Sequence, residues 1–309
     1  MIMQVCNISL AVSAGYYILL GLWWHVQITK KYWSSKHKKT EFTSSVTFQC
    51  CARCRSVPVE GLFKFLSSVS ICVISVYQIN SAQNSSEKNE AIGQLTVFSL
   101  FALSSVCDII SDCCQRIIFP GLDYLVLVIC FNVQSVVLSY HSVASYSWMS
   151  VADTCAMYAA TFAAVALLLE FKYSHYIWFP LMRSFCTVVL GTWFAHMCIV
   201  LLKQSVQSED SIPTSTENST ITIAQGVHSS NFTFDGQKVE NLSLVPMYFS
   251  WHCLFNMNLL TILWVVVYKL ASKNCCVCMP DEERINHFEN RVHFDYHMIT
   301  RMTDSDYEE

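Results

Sequence analysis

Apolar residues along this chain fall into seven long blocks, at about 5–28, 60–80, 92–112, 117–139, 149–169, 177–202 and 246–268. An α-helix needs ~20 mostly apolar residues to cross a ~30 Å hydrocarbon core, and each block is about that long. Buried helices of soluble domains are usually shorter. A lipid-embedded barrel would instead alternate apolar and polar positions over ~10-residue segments, and no such alternation is visible. Backbone polar groups in lipid must be satisfied internally, which favours helices. The pattern predicts an all-α polytopic membrane protein, a bundle of seven transmembrane helices over 1–270. A tail of mixed charge follows over 271–309, expected to be mostly disordered.

Composition sharpens this reading. The chain is 53% hydrophobic and 14% charged, where soluble domains carry about 25% charged residues. Its net charge of −4 argues against a nucleic-acid partner and leaves the lipid bilayer as the first partner. The first block lacks a basic leader and is followed by basic residues, so it is expected to be a retained helix rather than a cleaved signal. No internal repeat is evident, so a repeat-built transporter is not suggested.

Orientation follows from the distribution of Lys and Arg. If seven helices alternate, sixteen of the nineteen fall on one side, and only Lys88, Lys203 and Lys238 on the other. The positive-inside rule then puts the N-terminus outside or in a lumen and the C-terminus in the cytosol. Four glycosylation sequons, at Asn84, Asn218, Asn231 and Asn241, lie in the 79–91 and 203–245 loops, both on the non-cytosolic side by the charge rule. The 203–245 loop is polar, rich in Ser and Thr, and expected to be mobile.

Cysteines are abundant, sixteen in all, and none lies in an outside loop, so no extracellular disulfide framework is expected. Cys275, Cys276 and Cys278 follow the last helix closely and are candidates for S-palmitoylation. With Cys51 and Cys54 they also have the spacing of two half-sites for zinc, but more than 200 residues separate the halves. Tyr296-His-Met-Ile299 has the form of a tyrosine-based sorting signal, which implies sorting adaptors as partners. The Lys36–Lys39 run can attract anionic lipid.

Ionisable residues inside the membrane cost about 2.5–3.5 kcal/mol at a helix centre and much less near helix ends. On the cytosolic side Asp108, Asp123 and Glu170 lie near Arg183, which could pair with one of them in a network that locks helices together. In the outer half Gln94, His141, Asp153, His196 and His252 offer one polar residue from each of five helices at similar depth. His and Asp can bind zinc or carry protons. The alternative is that they bond one another or water. Asn132 and Gln134, with Ala156, Ala159, Ala160, Ala163 and Ala164, suggest close helix packing. Trp23, Trp24, Tyr32, Trp33, Trp148, Tyr176 and Trp178 read as an aromatic belt at the membrane interfaces.

Several short motifs carry a resemblance: Gly21-Leu-Trp-Trp24, Asp108, Tyr140-His141, Leu169-Glu170, Gly191-Thr-Trp-Phe194, Trp251-His252 and the acidic end Asp304–Glu309. In these, from about Gly21 onward, the chain resembles the transmembrane protein 45 family, seven-helix proteins defined by a domain of unknown function. It departs from that family at Gln94, Val143, Val151 and Asp153, where His is common. It also has His196 where Gln is usual, and a longer 203–245 loop. The resemblance implies residence in endomembranes such as Golgi or endosomes, or in the plasma membrane, and implies no catalytic activity.

The leading expectation is a non-enzymatic multipass membrane protein that acts in trafficking or as a scaffold for membrane partners. No catalytic residue and no cofactor are assigned. The alternatives are a proton- or metal-linked transporter or channel using the outer-half His and Asp residues, and a metal-dependent membrane hydrolase with zinc on His141, Asp153, His196 and His252. A seven-helix receptor fits less well, because Asp-Arg-Tyr after helix 3 and Asn-Pro-x-x-Tyr in helix 7 are not found.

Overall fold

A computed structural model describes residues 2–48, 58–82, 84–113, 121–144, 148–210 and 235–272. Seven helices account for nearly all of them: α1 (Ile2–Lys38), α2 (Val59–Ser81), α3 (Ser85–Cys113), α4 (Leu122–Ala144), α5 (Trp148–Lys172), α6 (Trp178–Asp210) and α7 (Asp235–Ser272). No strand occurs among the described residues. All seven helices contain a stretch long and apolar enough to cross a membrane.

Each apolar block becomes a helix, and most run past the block's ends. α6 continues to Asp210 and α7 begins at Asp235, so parts of the segment expected to be a mobile loop are helical. Residues 211–234 lie outside the described residues. Helical hydrogen bonding does not stop where hydrophobicity does, because polar side chains can line a helix that projects into water. α4 starts later than the apolar block suggests, at Leu122 rather than 117, after Gly121. Gly121 has φ +84, a left-handed conformation natural to glycine, and its backbone oxygen accepts from Leu125 N–H (3.0 Å).

Successive helices run antiparallel, as the side-chain contacts require. Lys64 and Cys72 of α2 meet Asp108 and Ser99 of α3. Ser135 of α4 meets Thr161 of α5 and Tyr124 meets Glu170. α1 and α6 form the most intimate pair, and glycine explains why. A Cβ on Gly191 would come within 2.6 Å of the Ile18 backbone nitrogen, and one on Gly21 within 2.9 Å of the Val188 nitrogen. Two glycines, one from each helix, let the backbones approach where any side chain would hold them apart.

The core is aromatic through its middle. Tyr16 meets Phe98 and Phe101 edge-on, each at 5.4 Å between ring centroids; Tyr17 meets Phe194 at 5.9 Å and Phe101 meets Phe131 at 5.6 Å. On α5 the alanines at 156, 159, 160, 163 and 164 are all buried. They recur at helical spacing and so give one smooth face on which neighbours pack. α7 packs against α1, α5 and α6, and polar contacts fix it there. His25 Nε2 donates to the Leu260 carbonyl (3.1 Å), and Asn256 Nδ2 donates to Thr192 Oγ1 (2.8 Å).

Candidate functional site

The densest polar chemistry lies where α1 ends and α2 begins. Glu60 and Lys64 stand one turn apart on α2, both buried. Lys64 Nζ forms an ion pair and hydrogen bond with Asp108 Oδ2 of α3. Among the described residues Glu60 makes no ion pair and is instead held by donors. Trp24 Nε1 donates to Oε1 (2.8 Å), and Trp23 Nε1 (3.0 Å) and the Phe48 backbone N–H (2.9 Å) donate to Oε2. A carboxylate met by three N–H groups is well compensated for lost water.

A second pair joins α5 and α6. Arg183 Nε lies 3.3 Å from Glu170 Oε2, both side chains fully buried, though without the alignment of a hydrogen bond. Glu170 Oε1 accepts from Ser44 Oγ and from Tyr124 Oη (3.2 Å). Arg183 Nη2 reaches the Ser45 carbonyl (3.3 Å). Trp24 stands between the two pairs. Its ring carries the Arg183 guanidinium at 4.5 Å and the Lys64 ammonium at 5.9 Å, while its indole N–H binds Glu60. Both cations therefore meet the negative face of one aromatic ring. Asp123, at the start of α4, accepts from the Tyr124 backbone N–H (2.9 Å) and lies within electrostatic range of Asp108 and Lys64.

The segment after α1 closes this end. Ser44 N–H donates to the Ser174 carbonyl of the α5–α6 connection (2.8 Å), and Ser44, Ser45 and Phe48 supply the contacts already named. Five buried ionisable groups, Glu60, Lys64, Asp108, Glu170 and Arg183, are thus tied to α1, α2, α3, α4, α5, α6 and one loop. The pairing of Arg183 with Glu170 is among those the sequence suggested. Nothing in the sequence marks Glu60 and Lys64 as buried, because each lies near a helix start, where a charge usually reaches water. Here the 40–48 segment intervenes. Trp23 and Trp24 correct the aromatic-belt reading: Trp24 is fully buried, because its N–H has a carboxylate to bind and its ring has two cations.

The residues expected in the outer half occupy the opposite end in two groups. His196 and His252 meet edge-to-face at 4.9 Å between centroids. Trp193 stacks on His196 (5.6 Å) and meets His252 edge-on (5.4 Å). Its own indole N–H donates to the Ala152 carbonyl (3.0 Å). His252 Nδ1 is buried with no hydrogen-bond partner among the described residues. Gln94 and His141 belong to the other group. Gln94 Oε1 accepts from Ser9 Oγ of α1, and His141 packs over Gly93, where an added Cβ would stand 3.4 Å from Nε2. Asp153 lies within electrostatic range of Glu90. Among the described residues no three or more His, Cys, Asp or Glu side chains are grouped so as to hold a metal ion. The four-ligand zinc centre of the hydrolase alternative has no support in this arrangement.

Residues 120–268 match a family described as a family of unknown function (DUF716). The matched stretch takes in α4 to α6 and most of α7, with His141, Asp153, Glu170, Arg183, His196 and His252. Trp24, Glu60, Lys64 and Asp108 lie before it, so the charge network joins the matched part of the chain to the part that precedes it.

The amides of α4 divide. Gln134 is buried and accepts from Tyr17 Oη (2.8 Å), whereas Asn132 is exposed and among the described residues bonds only its own helix, at the Val128 carbonyl (2.9 Å). Of the sequon residues, Asn84 stands exposed just before α3 and donates to Glu87 Oε1 (3.3 Å). Asn241 falls within the first turns of α7. Asn218, Asn231, Cys51, Cys54, Cys275, Cys276, Cys278 and the Tyr296 motif lie outside the described residues.

Proposed function

We propose that this chain is a non-enzymatic multipass protein of the transmembrane protein 45 type, acting in endomembranes as a scaffold or trafficking protein for membrane partners. Its N-terminus is placed outside or in the lumen and its C-terminus in the cytosol, with glycans on the outer sequons and acyl groups on Cys275, Cys276 and Cys278. One observation carries the scaffold reading. The buried charges are tied to one another, to Trp23, Trp24 and Tyr124 and to the 40–48 segment, although Asp108 Oδ1, Glu170 Oε2 and Nε and Nη1 of Arg183 have no hydrogen-bond partner among the described residues. Such a network orders seven parts of the chain around one point, and a fixed shape is what a scaffold offers its partners. The match of residues 120–268 to a family of unknown function is consistent with the reading.

A second reading, a proton- or metal-linked transporter, is favoured by the His196–His252 contact and the unpartnered His252 Nδ1. Reconstitution separates the two. With purified protein in vesicles under a pH gradient, the scaffold reading predicts proton flux no faster than in protein-free vesicles, with and without zinc. Flux that is lost in a His196→Ala/His252→Ala variant would overturn it. Orientation has its own check: a glycosidase should lower the chain's apparent mass, and the shift should vanish when Asn84, Asn218, Asn231 and Asn241, together with Asn7 of the N-terminal Asn7-Ile-Ser9 sequon, are all changed to Gln. A full-length chain without glycan would contradict the placement of these loops.

A further inference from the structure

Among the described residues α7 is the least enclosed of the seven helices, with 17% of the most apolar part of its span buried against 33% or more in every other. It carries two asparagines two residues apart, and a helix turns such positions to opposite faces. Asn256 is fully buried and bonds Thr192 Oγ1 and the His252 carbonyl. Asn258 is exposed, and among the described residues its side chain bonds only its own helix, Nδ2 to the Leu254 carbonyl (2.9 Å). That leaves the carboxamide oxygen and one N–H turned outward. The span runs from Leu244 to Leu270, so Asn258 sits at its middle, where the surroundings are hydrocarbon and an unpaired amide is costly.

The neighbours of Asn258 supply the rest of a seam. Trp251, Phe255, Ile262 and Val265 are all exposed, at 62%, 64%, 63% and 45%. With Asn258 they step along the helix by four, three, four and three residues. That alternation keeps a stripe facing a partner helix in a left-handed pair, with one polar residue setting the register. A carboxamide is both donor and acceptor and is complementary to another copy of itself. In a two-fold interface a residue near the axis meets its own counterpart.

We propose that this chain forms a homodimer in the membrane through the outward face of α7, with Asn258 of each copy hydrogen-bonded to Asn258 of the other. The occupant is a second copy because the seam's carboxamide, both donor and acceptor, is self-complementary and lies at mid-membrane, where a symmetric pair aligns without displacement. α4 also turns an asparagine outward, but its stripe of Leu125, Ile129, Asn132, Val136, Tyr140 and Val143 steps by four, three, four, four and three, and so winds off a partner's axis. The inference is independent of the scaffold reading.

The test uses the full chain in lipid bilayers, labelled with donor and acceptor fluorophores and diluted with lipid. Wild type should show energy transfer that fits a dimer. Asn258→Leu, which fills the same outward position with an apolar side chain, should need roughly tenfold higher protein density for the same transfer. Asn258→Gln should retain most of the association, and Asn132→Leu should match wild type. Thermal unfolding of Asn258→Leu, read at a protein density where both proteins are monomeric, should match wild type, since Asn258 is exposed and its hydrogen bond stays within its own helix. A monomeric wild type would overturn the proposal, whether lipid or a different protein covers the face. So would association that survives Asn258→Leu, or that is lost in Asn132→Leu instead.

Discussion

Trp24 does the work of three residues. Its N–H binds Glu60, its ring faces two cations, and its bulk fills the space between α1 and α6. In sequence it stands beside Trp23 at the end of an apolar run, a position that reads as interfacial. What decides its burial is the 40–48 segment folding across that end, and no local pattern signals it. Lys64 shows the same limit: a lysine near a helix start marks topology unless something covers it. Trp24→Phe keeps a ring for Arg183 and removes the N–H from Glu60. A hydrogen bond to a charged group contributes about 1.5–3 kcal/mol. The variant should therefore lose about 2 kcal/mol of stability in a denaturant titration of the purified protein in detergent. A loss below about 0.5 kcal/mol would show that the indole–carboxylate bond is not a support of the fold. Glu170 with Arg183 was legible, because opposite charges near the same end of consecutive helices have a short reach to each other.

At the scale of elements the seven helices were legible and their ends were not. Hydrophobicity reports the thickness of the hydrocarbon, while helix ends are set by caps, glycine and neighbours. α4 therefore begins after Gly121, and α6 and α7 run beyond their apolar stretches. Which helices pair is harder still. The motifs around Gly21 and Gly191 are far apart in sequence, yet they form the tightest interface in the bundle. Gly191→Val places a branched side chain against the Ile18 backbone nitrogen, 2.6 Å from the new Cβ. Overpacking of this kind costs about 1–3 kcal/mol. Here the obstacle is backbone, so a loss at the upper end, about 3 kcal/mol, is expected in the same titration. Gly15→Ala is the control. Nothing lies within 4 Å of its added Cβ, so stability should hold or rise slightly, since alanine is the better helix former. Equal behaviour of the two variants would contradict the close approach of α1 and α6.

For the whole molecule, membrane residence followed from composition and block length alone. The outer polar residues did not come together as one set. His196 and His252 meet, while Gln94 and His141 lie by α1 and α3. Depth in the membrane can be read from position along a helix; the direction a residue faces depends on which helices neighbour it. The central claim concerns the other end, where buried charges lock the bundle. Breaking a buried pair by removing one partner typically costs about 3–5 kcal/mol, whereas replacing both by apolar groups is often neutral. The direct measurement is a double-mutant cycle on the Lys64–Asp108 pair, reading unfolding free energy. Lys64→Met and Asp108→Leu should each lose about 3–5 kcal/mol, and the double variant should recover most of that loss. Single variants as stable as wild type, or a double variant that loses the sum of the two, would contradict the account.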